Sequence, residues 1–369
     1  MKVAYLLTLA TLVTGVHLQS ATWYVKPMGS DANGGTSWAQ AFRNIQTAID
    51  FAQAGDQIWV AAGIYNPTTT LGSNPAFYWR TFKIQKNVKI YGGFNGTETA
   101  LAQRNWMLNE TILSGTQDAV LHVVYTNGVS QECVIDGFTI TGGNADLGGG
   151  TTTSLNSAGG GWYNDAYETT SSPQIANCKF VNNQAVSSGG AFLNNSVGGN
   201  AQLVFTGCRF EGNTAGLFGG AFYSEGNLTA TFTGCVFDQN GGECEGGAVC
   251  HNLTGSTSSL TFTRCDFLRQ QTTDNGGAVN FTGVEGSRTA VFSECTFKGN
   301  IGKIGAAIHL SENFGNTQIQ MINSLLSGNG SRQSPVNYQY LIFIQQSNGG
   351  QKESFPDLGA SFRIIRKKE

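Results

Sequence analysis

One phrase recurs along this chain at a nearly fixed interval, and a fixed interval constrains the fold more than any local propensity does. It reads CKFVNNQAVSSGGAFL from Cys178, CRFEGNTAGLFGGAFY from Cys208 and CVFDQNGGECEGGAVC from Cys235. CDFLRQQTTDNGGAVN follows from Cys265 and CTFKGNIGKIGAAIHL from Cys295, so the intervals are 30, 27, 30 and 30 residues. A weaker copy, SLLSGN, starts at Ser324 with Ser in place of Cys, and FTITGGNA from Phe138 fits the same frame. Self-similarity at this period is the mark of a solenoid, in which each repeat stacks on its neighbours.

The apolar pattern inside the repeat identifies the solenoid. One column is Ile175, Phe205, Phe232, Phe262, Phe292 and Met321. The Cys column follows three residues later, and two beyond it comes Phe180, Phe210, Phe237, Phe267, Phe297 and Leu326. A third column is Phe192, Phe222, Val249, Val279 and Ile308. Their neighbours Lys179, Arg209, Val236, Asp266 and Thr296 vary freely, as outward residues of period-two strands should. The step of three breaks the alternation and requires a tight turn, where Asn177, Gly207 and Gly234 tolerate a left-handed backbone. Nothing in the repeats has helical spacing. Three short strands and three bends per turn make a parallel β-helix with rungs about 4.8 Å apart. About ten rungs fit between Ile58 and Leu326, a rod of roughly 50 Å. Asn183, Asn213, Asn240, Asn300 and Asn329 recur at one corner, placed to hydrogen-bond turn backbone.

The ends of a solenoid need covering. WAQAFRNIQTAIDFAQAG (38–55) places Phe42, Ile45, Ala48, Ile49 and Ala52 on one helical face and predicts a short N-terminal capping helix. GDQIWVAAGIY (55–65) reads as the first strand, and YLIFI (340–344) as a cover for the last rung. The opening MKVAYLLTLATLVTGVHLQS reads as a signal peptide over 1–20, its apolar run too short to span a bilayer. The solenoid is expected over 21–344, clearest over 173–329, with 345–369 as a C-terminal tail whose last residues, RIIRKKE, contribute no obvious structure. Net charge is −3 with 12% charged residues, so no basic field exists to hold nucleic acid. No later segment is apolar enough to span a membrane.

These residues resemble a known group. GDQIWVAAGIY, VKIYGGFNGTET, TILSG and VIDGFTITGGNA look like secreted bacterial right-handed parallel β-helix proteins of pectin-lyase-like fold. The F-x-x-N and G-G-A-[ILVFY] elements resemble the polymorphic outer-membrane protein repeats of bacterial surface adhesins. The resemblance covers nearly the whole chain after the leader. It implies an all-β, single right-handed parallel β-helix solenoid, exported to the extracellular space or the outer-membrane surface.

Candidate chemistry is sparse. Cys178, Cys208, Cys235, Cys265 and Cys295 form an inward ladder, where in-register side chains point the same way and make poor disulfide partners. Cys244 and Cys250 flank one Gly-Gly-Ala and are the better bridge in an exported protein. No zinc spacing occurs, no metal or cofactor is expected, and calcium has no motif. Asp118 with His122, and His251 with Glu243, are acid–base pairs by spacing alone, and solvated surface is the commoner fate of such residues. No catalytic residue is assigned. Phe77, Tyr78 and Trp79 lie together in an insertion, and Tyr167 follows the second one; rings on loops suit sugar faces and protein partners. The expectation is a monomeric, non-catalytic adhesin or glycan-binding module whose partner is a polysaccharide or a host or cell-surface protein. A polysaccharide lyase or glycoside hydrolase on the same fold is the alternative.

Overall fold

A computed structural model describes residues 20–331 apart from 244, 254–255, 284–285 and 311–316, together with the strands Ile342–Ile344 and Ala360–Ile365. The leader, apart from Ser20, lies outside the described residues. The rest coils into a parallel solenoid of about nine turns, counted by the nine stacked strands of its middle face, from Gly63–Tyr65 to Leu325–Ser327.

The rung that contains the second copy shows why the chain coils. Phe222–Thr233 runs along a first face and bends without a break onto a second. Gly234 turns the chain, Val236–Asp238 forms the middle face, and Gly241–Gly242 adds a two-residue strand before the loop to Val249–Leu253. That short strand belongs to a seven-stranded ladder, a fourth side that the apolar columns could not reveal because two residues carry no period. The three-residue deficit between Cys208 and Cys235 sits at the bend between the first two faces. There 197–200 in one rung corresponds to residue 227 alone in the next.

Rung spacing dictates the core. Identical side chains in register must stack, and Phe205, Phe232, Phe262 and Phe292 do so with centroids 4.7, 4.7 and 4.9 Å apart. The file from Phe180 to Phe297 stacks likewise and meets the first edge-to-face, as at Phe262–Phe267. Both arrangements are the favoured ones for ring quadrupoles. The corner asparagines form a continuous ladder. Asn213 Nδ2 donates to the Phe180 carbonyl at 2.9 Å, and its Oδ1 accepts the Asn183 backbone N–H at 3.0 Å. Gln270 fills the slot that lacks Asn, donating to the Phe237 carbonyl at 2.7 Å. Each thiol of the Cys ladder lies against a carbonyl, Cys265 Sγ at 3.4 Å from Phe232 O, and Ser324 Oγ makes the same bond to Phe292 O at 3.1 Å. The repeated Gly-Gly now has two causes. Gly219 has φ +60, and a Cβ on Gly220 would lie 2.5 Å from the Gly247 carbonyl of the next rung.

The ends differ from expectation in three ways. The capping helix is only Ile45–Phe51, because Phe42 pairs with Val25 as a β-bridge and Trp38–Gln40 is a 3-10 turn. All five cap residues are nevertheless buried. Thr22–Val25 precedes the expected first strand and pairs with Gln57–Ala61, and 55–65 holds two strands rather than one. Ile342–Ile344 pairs with Ile308–Leu310 and Ala360–Ile365 with Thr317–Ile322, so the stack runs past the boundary at 344 and the tail supplies a strand.

Candidate functional site

The first face presents two kinds of outward residue. Nearest the start of its strands stand Tyr125, Tyr163, Leu193, Tyr223 and Cys250, one per rung, and all are buried. An outward column becomes buried only where something covers it. Here Leu71 from the first insertion and Leu155 and Ala158 from the second pack onto it as a small outer core. Two residues further along each strand the column turns polar, reading Asn127, Asp165, Asn195, Glu225 and Asn252.

These two columns are stitched together. Tyr125 Oη donates to Asp165 Oδ2 at 2.7 Å, and Tyr223 Oη donates to Glu225 Oε2 at 3.0 Å. Asn195 Nδ2 lies 3.4 Å from Tyr163 Oη, which donates to the Thr153 carbonyl at 2.5 Å. Thr152 Oγ1 donates to Glu225 Oε2 at 2.7 Å, so the insertion 146–158 lies across the rungs and is pinned at its middle to a carboxylate. Burial, and the carboxylates beside them, raise the Tyr125 and Tyr223 hydroxyls far above their usual range, so they act as donors and not as bases. Asp165 and Glu225 keep part of their surface in solvent, two rungs apart, roughly 10 Å at strand spacing.

The residues singled out from sequence frame this face. Phe77–Trp79 is a 3-10 turn in the first insertion, tied down by Leu121 N donating to the Tyr78 carbonyl and Leu71 N to the Trp79 carbonyl, both 2.8 Å. Phe77 is exposed, but one ring face carries the Arg80 guanidinium at 4.6 Å. Tyr78 and Trp79 are half-buried. Tyr167 is exposed at the opposite border, its N–H donating to Asp165 Oδ1 at 3.2 Å. The bridge from Cys244 to Cys250 falls on a residue outside the described set; Cys250 itself is buried in the outer core.

Neither acid–base pair forms. Asp118 binds Arg80 at 2.8 Å, while His122 is buried with Nδ1 2.8 Å from the Gly159 carbonyl. His251 points inward, Nδ1 3.2 Å from Ser224 O, and burial holds its imidazole well below the usual range. Surface solvation, the commoner fate, is excluded for both histidines. His251 ends a feature sequence reasoning missed, a polar file inside the solenoid. Thr126 donates to Asn164 Oδ1 at 2.7 Å, Asn164 Nδ2 to Asn194 Oδ1 at 2.7 Å, and Asn194 Nδ2 to Ser224 Oγ at 3.0 Å. The signal was there: these residues sit two after the inward Val124, Trp162, Phe192 and Phe222. Among the described residues no group of three or more His, Cys, Asp or Glu is placed to hold a metal ion. No helix there is long and apolar enough to cross a membrane.

Residues 207–225 match the Chlamydia polymorphic membrane protein repeat. No curated protein matches the chain in sequence. Among solved structures it is similar to pectate lyase Pel9A, at 13% identity and TM-score 0.45 over 87% of this chain and 82% of that one. A rhamnogalacturonan lyase aligns at 16% identity and TM-score 0.39 over 91% and 89%. The GH136 lacto-N-biosidase from Eubacterium ramulus aligns at 11% identity and TM-score 0.40 over 85% and 66%.

Proposed function

We propose that this is an exported surface or secreted solenoid that binds a polysaccharide along its first face, without cleaving it. The half-buried Asp165 and Glu225 carry the reading, because they set two carboxylates two rungs apart, with the buried Asn195 between them, beside the buried tyrosine file. Such groups pair with sugar hydroxyls, and a repeat along the rod axis suits a polymer lying along it. The half-buried Tyr78 and Trp79 and the exposed Tyr167 border the face on either side. The match to a membrane-protein repeat supports a surface location.

One observation favours the enzyme reading. Asp165 and Glu225 stand roughly 10 Å apart by strand spacing, near the upper end of the ~6.5–9.5 Å between the carboxyls of inverting glycosidases. Against it, each carboxylate already accepts a tyrosine hydroxyl. The two readings separate in one experiment. A polysaccharide panel is assayed for retention of the full chain and for new reducing ends or unsaturated product. Binding without turnover, weakened by Asp165→Asn and Glu225→Gln, supports a binding module. Turnover abolished by either substitution makes it an enzyme, a lyase if the product is unsaturated and a hydrolase if it is not. Retention unchanged in both variants would remove the first face from consideration.

A further inference from the structure

Over four successive rungs the second face of the solenoid differs in charge from the middle face beside it. The outward positions of segments 202–206, 229–233, 259–263 and 289–293 read Gln-Val-Thr, Thr-Thr-Thr, Ser-Thr-Thr and Thr-Val-Ser. Nine of these twelve are Ser or Thr, and none is charged. The five rungs of the adjacent middle face over 179–298 supply the contrast. Their ten outward positions include Lys179, Arg209, Glu211, Asp238, Asp266 and Lys298, six charges on the same strand geometry. Over these four rungs the charge lies on the middle face and not on the second, whereas earlier rungs of the second face carry Asp136 and Lys89 at the equivalent positions.

The array is also regular. Thr206, Thr233, Thr263 and Ser293 stand in strict register, as do Val204, Thr231, Thr261 and Val291. All are exposed or half-buried, and among the described residues no protein group engages the hydroxyls of the six that are Ser or Thr. Adjacent files repeat at about 4.8 Å across the strands and roughly 6.6 Å along them. β-Branching fixes the threonine χ1, so each hydroxyl and methyl is presented in a preset direction.

The occupant must be uncharged, flat and periodic. A soluble glycan is held by aromatic platforms and concave walls, and this face has neither. A second copy is a poor fit by area: four or five strands of five residues offer roughly 400 Å² per partner, or about 800 Å² in total, under the ~1,200 Å² total of a stable interface. A crystal of water has the required properties, and its oxygen repeat along one lattice axis is close to the rung spacing. We propose that the second face adsorbs to ice, with the hydroxyl files and their methyls ordering the bordering water into the lattice.

The test is partitioning of the purified full chain into slowly growing ice, with ice recrystallisation followed alongside. The parent should concentrate in the ice and slow recrystallisation. Thr233→Lys should lose both effects while its far-UV spectrum and melting stay as in the parent. Thr296→Lys, an equal change on the middle face, should retain them. Should Thr233→Lys melt early, Thr261→Val removes one hydroxyl at nearly constant shape and should still reduce partitioning. The proposal fails if the parent is excluded from ice as a globular control protein is, or if Thr296→Lys loses adsorption equally. It also fails if the parent binds crystalline cellulose and not ice, or forms a dimer through this face in place of adsorbing.

Discussion

Phe237 lies face to face with Phe267, ring centroids 4.9 Å apart and planes within 1° of parallel. Phe210 stacks on its other side at 4.7 Å, so Phe237 is the middle of a file with no free face. Phe237→Ala should cost roughly 3–5 kcal/mol, because rungs locked in register cannot close the cavity. Thr296→Ala, an outward change on the same face, should cost under about 0.5 kcal/mol. Equal shifts of the denaturant midpoint would mean that the faces are assigned the wrong way round.

The inward thiols should be inert in the folded protein. Cys178 is buried, which pushes its thiol up to about 12, and Cys208, Cys235, Cys265 and Cys295 are buried beneath it. Alkylation of these five should need denaturant. Mass mapping that finds them bridged to one another in native protein would overturn the ladder.

The asparagine corner should be among the more expensive polar sites to break. Asn240 donates to the Phe210 carbonyl and accepts the Asn213 backbone N–H, all within the interior. Asn240→Ala strands both partners and should cost about 1–3 kcal/mol for each buried group left unpaired. Asn240→Gln should recover part of that loss, because Gln270 already does this work in the next rung. A thermal melt of the two variants decides it.

At one turn of the repeat, two long charged residues hold a backbone shape that favours glycine. Arg264 has φ +52 and Glu294 φ +56, at the turn that Gly207 and Gly234 occupy in earlier rungs. A left-handed non-glycine costs about 1–2 kcal/mol and glycine's extra chain entropy about 0.5–1. Arg264→Gly and Glu294→Gly should therefore each stabilise by roughly 0.5–1 kcal/mol. Melting temperatures that fall instead would assign these side chains a packing role.

Acid should weaken the fold. Burial lowers His122 and His309 from 6.5 to about 4 and holds His251 well below its usual range. A histidine whose folded value lies below its unfolded one contributes stability that is present above pH 6.5 and lost as pH falls toward 4. For His122 and His309 the loss is on the order of 3 kcal/mol each. Denaturant midpoints at pH 7 and pH 4.5 should differ accordingly, and His122→Gln should shrink the difference.

The repeat made most of the fold legible in the sequence, because a solenoid writes each inward column many times over. The stacked phenylalanines, the thiols and the corner asparagines could all be placed from spacing. What occurs once could not. The outer core depends on two insertions folding back over Tyr125, Tyr163 and Tyr223, a tertiary contact with no period. His122 and His251 looked like surface acid–base partners because spacing to a carboxylate says nothing about which way a side chain points. Arg209 reads as a free outward residue, yet it lies 3.1 Å from Asp238, which also binds Arg269 at 2.5 Å. Cross-rung ion pairs need the register before they can be seen.

Among the described residues, apart from the small hairpin that joins Thr69–Thr70 to Arg80–Thr81, the paired strands lie side by side in one direction, rung upon rung. Their hydrogen bonds point along the rod. A tether pulled from both ends would load those bonds in series, opening one turn before the next, and would not shear a whole sheet at once. Because each turn touches only its neighbours, the remaining turns keep their packing while the end one yields. Under tension such a rod pays out length in steps of one repeat, and it can rewind when the load is released.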